Sequence, residues 1–561
     1  MRELREGLSR RRFLAAAGLG AAGLGAAGAL AGCSGEAAGS FRHSHPLRLP
    51  REAPQPTVEG AVPSGVDGVP TAYRRFVSPP YRSVHTTPGS GGPVTTFQIL
   101  YGPPPTPLEH NPWWQELNRR LGVEIRPTLV PDASLGDKLQ TTIASGQLPD
   151  LTYVHLGLAP AALRVIRQGA FTDLTPYIGG DAVKEFPNLA RLPSYMWRNS
   201  SIEGGIYGVP RVIPIVNGRI GLYRRDWARK LGYPDPPADA DQVLELFTAF
   251  AKGDPDGNSR VQTWGFGNVD TTLVQQMFGV PNVWRKESNG RLVNSIETDE
   301  FEEALRFLSR MWKAGVYHPD APNMQFQKVQ DLFMSGRTGY FAQGYIPMFG
   351  RTGTRGSLRR NQPHADAYPL IPPGHDGGKP RIFQGPGYFG FMAIPSKVGE
   401  NTERAKELLR VLDYYAAPFG SEEYVFMTYG IEGRQFRYDG RGNPVSVDDD
   451  RVANWSTLSY MCQTMENAFY YPGAAEDAVL AQDVLKKAVR MSVPDPTLGL
   501  VSNLAISRGA ALTQYNSDRQ TGIVTGREPL RSLAEWRKGW RERGGDQIRS
   551  EYEEALARVR G

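Results

Sequence analysis

Between residues 253 and 267 the chain reads GDPDGNSRVQTWGFG, in which Asp254, Asp256, Asn258, the main-chain carbonyl of Arg260 and Gln262 fall at alternate positions. Oxygen donors at the first, third, fifth, seventh and ninth places of a loop are the pattern that wraps a hard cation such as Ca2+. The match is partial. Ser259 stands at the sixth place, where an EF-hand loop wants glycine, and Gly265 stands where its bidentate glutamate belongs. Two readings are open: a loop holding a structural calcium, and a polar turn capped by its own side chains.

Other chemistry is thinly supplied. Two cysteines and eight histidines in 561 residues are too few for a disulfide framework or for an all-cysteine zinc or iron–sulfur site. Neither HExxH nor GxSxG occurs. GPGYFG matches GxGxxG at Gly385, Gly387 and Gly390, but a dinucleotide loop must follow a strand and open a helix. Here a proline removes one amide and the glycines lead into an apolar strand. His43 and His45 sit in a Pro- and Gly-rich stretch and read as incidental. Beyond residue 32 the chain carries 59 basic and 56 acidic residues, without the concentrated basic face of a nucleic-acid binder.

The first forty residues carry an address. SRRRFLAAAGLGAAGLGAAGALAGCSG joins a basic start to about twenty weakly apolar Gly and Ala residues, then Cys33. Ser9, Arg10, Arg11, Phe13 and Leu14 resemble the twin-arginine export motif. Leu30, Ala31, Gly32 and Cys33 resemble a lipobox, which implies lipid on the Cys33 sulfur and cleavage just before it. Residues 1–32 thus read as a twin-arginine lipoprotein signal peptide; the alternative, a retained membrane helix, is disfavoured by weakly inserting Gly and Ala. The mature protein is expected on the outer face of the cytoplasmic membrane. Residues 33–93, dense in Pro, Gly and Ser, read as a disordered tether.

From Val94 the pattern becomes that of packed elements. VTTFQILYG reads as a strand, NPWWQELNRRLG as a helix capped by Asn111 and stopped by Gly122, and VEIRPTLV as a second strand. A helix over 134–145 and the strand LTYVH repeat the alternation, which argues for a parallel sheet covered by helices. Amphipathic helices follow in ADQVLELFTAFAKG, TDEFEEALRFLSRMWKAG and NTERAKELLRVLDYYAA, a buried strand in GYFGFMAIPS, and a terminal helix pair broken at Gly544 and Gly545.

The order of these pieces resembles the family 1 extracellular solute-binding lipoproteins of ATP-driven importers, which include lipoprotein LplA-like and alginate-binding members. The residues that carry it include LQTTIASGQLPDLTYV, IYGVPR, GLYRRDWARKLG, the 253–267 loop, VQDLFMSGRTGYF, YGIEG and WRKGWRERGGDQIRSEYEEA. The resemblance implies an α/β, two-lobed, periplasmic-binding-protein-like (type II) fold with hinge-crossing segments and extra C-terminal helices. Lobe 1 would cover 94–213, with roughly 390–435 returning to it; lobe 2 would cover 214–389, with roughly 436–561. It implies a sugar or oligosaccharide held in the interlobe cleft, an ABC permease as partner, and a monomer. The alginate-binding relatives close their calcium loop with acidic residues at the ninth and tenth places, which here are Gln262 and Thr263.

A sugar cleft combines aromatic platforms with polar side chains. Trp113 and Trp114 start a helix after a parallel strand, where crevices form. Trp264, Tyr388, Phe389 and Trp455 lie in or beside Gly- or Pro-containing loops, with core packing as the competing role for each. Asp150 and Arg211 are the polar candidates, with capping or ion pairing as the alternative. Peptide ligands use overlapping chemistry. Two further classes remain: an exported carbohydrate-active hydrolase or lyase, since a carboxylate pair leaves no sequence signature, and, less favoured, a cofactor enzyme.

Overall fold

The computed structural model describes residues 47–155, 159–255, 257, 262–447, 458, 460–462, 464 and 467–560; Arg10, Arg11 and Cys33 of the leader lie outside them. Two sheets organise the chain beyond residue 93. Their strands, in chain order, are β1 (Pro93–Leu100), β2 (Glu124–Pro131), β3 (Leu151–His155), β4 (Val209–Val212), β5 (Gly221–Arg224), β6 (Trp264–Phe266), β7 (Thr338–Ala342), β8 (Ala367–Leu370) and β9 (Tyr388–Ala393).

The first sheet has the order β2-β1-β3-β9-β4 and the second β8-β5-β7-β6. β1 runs parallel to β2 and β3, whereas β9 is antiparallel to both β3 and β4. Helices make the parallel crossovers possible, and their ends are written in the sequence. The helix Pro112–Leu121 begins where the Asn111 side chain accepts the Trp114 amide at 3.1 Å, with proline at a position that needs no donor. It ends at Gly122, whose φ of 67° is a left-handed cap. Phe97 and Ile99 of β1 and Leu117 and Leu121 of this helix are wholly buried. In the second lobe the helices Ala240–Lys252 and Asp299–Lys313 bury Phe247, Phe250, Leu305 and Leu308 in one core, which also takes up Trp536 and Trp540 from the C-terminal helices.

The chain passes between the sheets through residues 213–220 and 371–387, and a third passage leads through Ser492–Val493 into the helix Asn503–Val524. These passages are hydrogen-bonded to one another. The Ile213 amide donates to the Gly387 carbonyl at 3.1 Å, and the Gln384 amide to Val493 at 2.9 Å. Asn282 Nδ2 clamps both from the side, donating to the carbonyls of Gln384 at 2.8 Å and Val493 at 3.0 Å.

Residues 47–93 are not a tether from 47 onward, and the sequence reading is corrected there. Ala61–Val62 and Thr71–Tyr73 pair as a hairpin, extended by Ala468–Phe469. Val58, Tyr73 and Phe76 are buried against Phe419, Tyr424 and Tyr470, with the Tyr73 and Phe419 rings stacked at 4.0 Å. A few well-spaced aromatic residues thus order a segment whose bulk composition is that of a linker. The assignment of 436–561 to lobe 2 is corrected likewise. Phe436, Ala468 and Tyr470 pack with this N-terminal segment and with the helix Glu422–Tyr429, while the helices from Asn503 onward join the second lobe's core.

A buried polar knot fastens the segment. Glu423 accepts the Ser83 amide (3.0 Å), the Ser83 hydroxyl (2.8 Å) and the Val84 amide (3.2 Å). Next to it, Asp413 accepts the amides of Asn188 and Leu189 at 2.8 and 2.9 Å. Burial pushes the Asp413 carboxyl up to about 7 and nearby Glu423 adds to this, against the pull of the two amides and Arg191.

Two outcomes follow. Phe76→Ala, in what composition marks as linker, should destabilise the protein by about 3–5 kcal/mol in chemical denaturation, as for a core phenylalanine; a change near zero would restore the tether. Because the folded-state pKa of Asp413 lies above its unfolded value, the folded protein holds the extra proton between about pH 4 and 7, and stability falls as pH rises through that window. Asp413→Asn keeps an acceptor for both amides and should flatten that slope in melts taken across the same range.

Candidate ligand-binding cleft

The two sheets present particular edges to the passages that join them. Tyr388, which begins β9, lies opposite Val212, which ends β4, and Gly221, which begins β5, lies opposite Ala342, which ends β7. The carboxyl ends of β1 to β4 in one lobe and of β6 and β7 in the other therefore meet at the hinge, the place where α/β sheets form crevices.

On the first lobe this edge carries a joined set of side chains. Tyr101 follows β1, Asp132 follows β2 and His155 ends β3; Phe389 enters with β9, Arg211 comes from β4, and Tyr460 reaches in from far along the chain. The Phe389 ring lies 4.8 Å from His155, 6.1 Å from Tyr460 and 6.4 Å from Tyr101, and Tyr101 lies 5.4 Å from Tyr460. Arg211, only 4% exposed, places its guanidinium 4.1 Å from the Tyr460 centroid and 5.6 Å from that of Phe389. Tyr101 is 42% exposed and donates its hydroxyl to Asp132 Oδ1 at 3.3 Å. The result is a cationic, aromatic floor beneath one open aromatic ring with hydrogen-bonding groups at its rim.

Electrostatics follow from burial. The His155 imidazole is pushed below its ordinary pKa by burial, with the Asp132 carboxylate opposing. Burial raises the Tyr101 phenol, and Tyr460 and Asp132 add to it, so the phenol stays protonated as a donor. On the second lobe Asp270 caps the helix Thr271–Met277, accepting the Thr272 amide at 2.9 Å, and in the passage 213–220 Asn217 Oδ1 accepts the Tyr345 amide at 2.6 Å.

Of the residues singled out from sequence, Phe389 and Arg211 come together here. Tyr388 does not: as its strand neighbour it points to the other face, is buried, and has its phenol pushed up to about 12 by that burial. Trp113 is wholly buried, stacked at 5.3 Å on Phe426 and donating Nε1 to the Phe426 carbonyl. Trp114 donates to the Ile125 carbonyl at 3.2 Å, near the amino ends of the strands and away from the cleft edge. Asp150 is also at that far end, where it accepts the amide and hydroxyl of Thr95 and pairs with Arg404. Trp264 begins β6 and lies 4.3 Å from His318, with Arg337 above its ring. Trp455, Asp256, Asn258 and Arg260 lie outside the described residues, among which no group of three metal-binding side chains occurs. Tyr101 and His155 had a sequence signal, since each ends a recognised strand of a parallel sheet; Tyr460 had none.

Two α/β lobes joined by hydrogen-bonded passages, with a polar-aromatic edge at their junction, define a two-lobed binding protein. A model of the bacterial extracellular solute-binding protein family matches residues 108–416, and the chain belongs to that family. It is similar to lipoprotein LipO of Bacillus subtilis (25% identity over 82% of this chain and 92% of the relative) and to the polygalacturonan/rhamnogalacturonan-binding protein YtcQ of the same organism (25%, 80% and 88%). Among solved structures it shares its fold with alginate-binding protein AlgQ2 without calcium ion (TM-score 0.61, 16% identity, 83% of this chain and 98% of that one). The Streptococcus pneumoniae substrate-binding protein FusA in complex with kestose aligns with TM-score 0.62 at 16% identity, over 83% of this chain and 99% of that one.

Asp132→Asn removes the negative charge that opposes burial at His155, so the imidazole should titrate at lower pH than in the unaltered protein. Nitrogen-detected NMR titration reads this directly, and an unchanged or raised His155 pKa would separate the two side chains.

Proposed function

We propose that this chain is the substrate-binding component of an ATP-driven importer, capturing a sugar or oligosaccharide between its lobes and delivering it unaltered to a membrane permease. The observation that carries the reading is the exposed Tyr101 ring at the strand ends, backed by Phe389 and Tyr460 and rimmed by Asp132. A pyranose or furanose offers apolar C–H faces that stack on such a ring and hydroxyls that meet the groups around it. The relatives agree in kind: YtcQ is named for binding polygalacturonan and rhamnogalacturonan, and FusA is solved with kestose.

Binding proceeds by closure. The ligand lands on the aromatic edge of the first lobe and gains contacts with the second as the passages bend, so its differential affinity sets the closed population. The closed form is what the permease reads. Lipid on Cys33 holds the receptor, a monomer, at the outer face of the cytoplasmic membrane; the name of the relative LipO and the extracellular character of the family support this. Among the described residues no helix is long and apolar enough to cross a membrane.

Isothermal titration with a panel of neutral and acidic oligosaccharides tests the proposal, with chromatography of the mixtures for products. Tyr101→Ala should weaken the Kd of the preferred ligand roughly tenfold or more, as the loss of about 1.4 kcal/mol entails, while Trp114→Ala should leave it within about twofold. Equal affinity in Tyr101→Ala, or a new product, would overturn the reading.

A further inference from the structure

Arg219 stands near the end of the passage 213–220, just before β5 begins at Gly221 on the edge that meets the hinge. Its main chain is fixed. Gln276, wholly buried in the helix Thr271–Met277, donates Nε2 to the Arg219 carbonyl at 2.9 Å and accepts the Phe383 amide on Oε1 at 2.9 Å. One side chain therefore pins two of the three passages, and Arg219 is presented from a backbone that is already ordered.

Its side chain is less well provided for. The Nε–H is shut off from solvent and, among the described residues, finds no hydrogen-bond acceptor. The Phe383 ring centroid lies 5.9 Å from the guanidinium carbon, which supplies an apolar floor and no anion. Asp270, the carboxylate that acts on Arg219, follows β6 on the same edge of the sheet, but its Oδ1 is occupied by the Thr272 amide at 2.9 Å. Burial lowers the Arg219 pKa against the pull of Asp270, yet a guanidinium does not give up its proton in a protein. A half-buried cation with an idle donor thus stands at the hinge end of the cleft.

A charge taken out of water is stabilised by an anion that meets its donors. The planar fork of a guanidinium matches an oxyanion, which it takes by two parallel hydrogen bonds. A neutral hydroxyl would meet a donor and leave the charge as it was. Resting on the receptor reading above, we propose that the saccharide is acidic and that Arg219 takes its carboxylate or sulfate group at the hinge.

Isothermal titration of the full chain with uronate, sulfated and neutral trisaccharides tests this, the first two arms distinguishing the oxyanions. At least one acidic trisaccharide should bind on the order of thirtyfold more tightly than the neutral one. Arg219→Gln should erase most of that ratio, and Arg219→Lys, which keeps the charge and loses the fork, should restore part of it. The ratio for the unaltered chain tests the inference even where a variant fails to fold. An Arg219 with a purely structural role would weaken acidic and neutral ligands together and leave the ratio as it was, and that result overturns the proposal. Neutral trisaccharides binding as tightly as acidic ones overturn it as well, while the receptor reading stands. If no saccharide of any kind binds, the receptor reading falls and this inference with it.

Discussion

The structure depends on one strand that arrives from the wrong side. β9 leaves the second lobe through residues 371–387 and inserts between β3 and β4, antiparallel to both. Its register sets Gly390 against His155, and the glycine is required there: a Cβ would come within 2.5 Å of the Tyr153 hydroxyl. The pairing with β4 is irregular between Tyr388 and Phe391, which is where Phe389 and Arg211 fall. Bulges re-aim side chains beside functional sites, and here the irregularity lies where an aromatic ring and a buried guanidinium share the cleft floor. The same insertion makes the lobes inseparable, because the strand that completes the first sheet is the continuation of the hinge.

The hinge is in turn braced from outside the two sheets. Gly387, with φ of 76°, lies close to the Tyr195 ring and Ile215, and a Cβ at Gly68 would come within 2.7 Å of the Ile215 side chain. The N-terminal segment therefore bears on a crossing passage as well as on the helices that follow β9. Its apolar contacts and the Glu423 knot hold it as part of the body from residue 47 onward. On the other flank, Arg167 pairs with Glu203 in the first lobe and donates to Asn503, the start of a helix whose far end lies in the second lobe's core.

Much of this organisation was legible in the sequence because strands, caps and stops are local. Asn111, Gly122 and the LTYVH strand needed only their neighbours to be read, and the break at Gly544, with φ of 113°, needed only glycine's freedom. The site was legible in part. Phe389 and Tyr388 differ by one residue and so by one face, a parity that is fixed by pairing with β3 and β4 and not by composition. Trp113 and Trp114 were plausible from their place after a strand, yet a helix start has an inner side, and the indoles satisfy backbone carbonyls there. The Pro-rich segment misled for the opposite reason: its few aromatics do their ordering through partners more than three hundred residues away.

Charge is accommodated differently on the two sides of the hinge. Arg211 is buried yet accommodated by the faces of Tyr460 and Phe389, which attract a cation without contributing a formal negative charge. Across the hinge, burial lowers the Arg219 guanidinium and raises the Asp270 carboxyl, and each charge partly offsets the other's shift. The opposite charges across the hinge thus act on each other, while the Arg211 cation lies against two aromatic faces. A ligand that touches both edges would bias an open–closed equilibrium only by its free energy of differential contact with the two states.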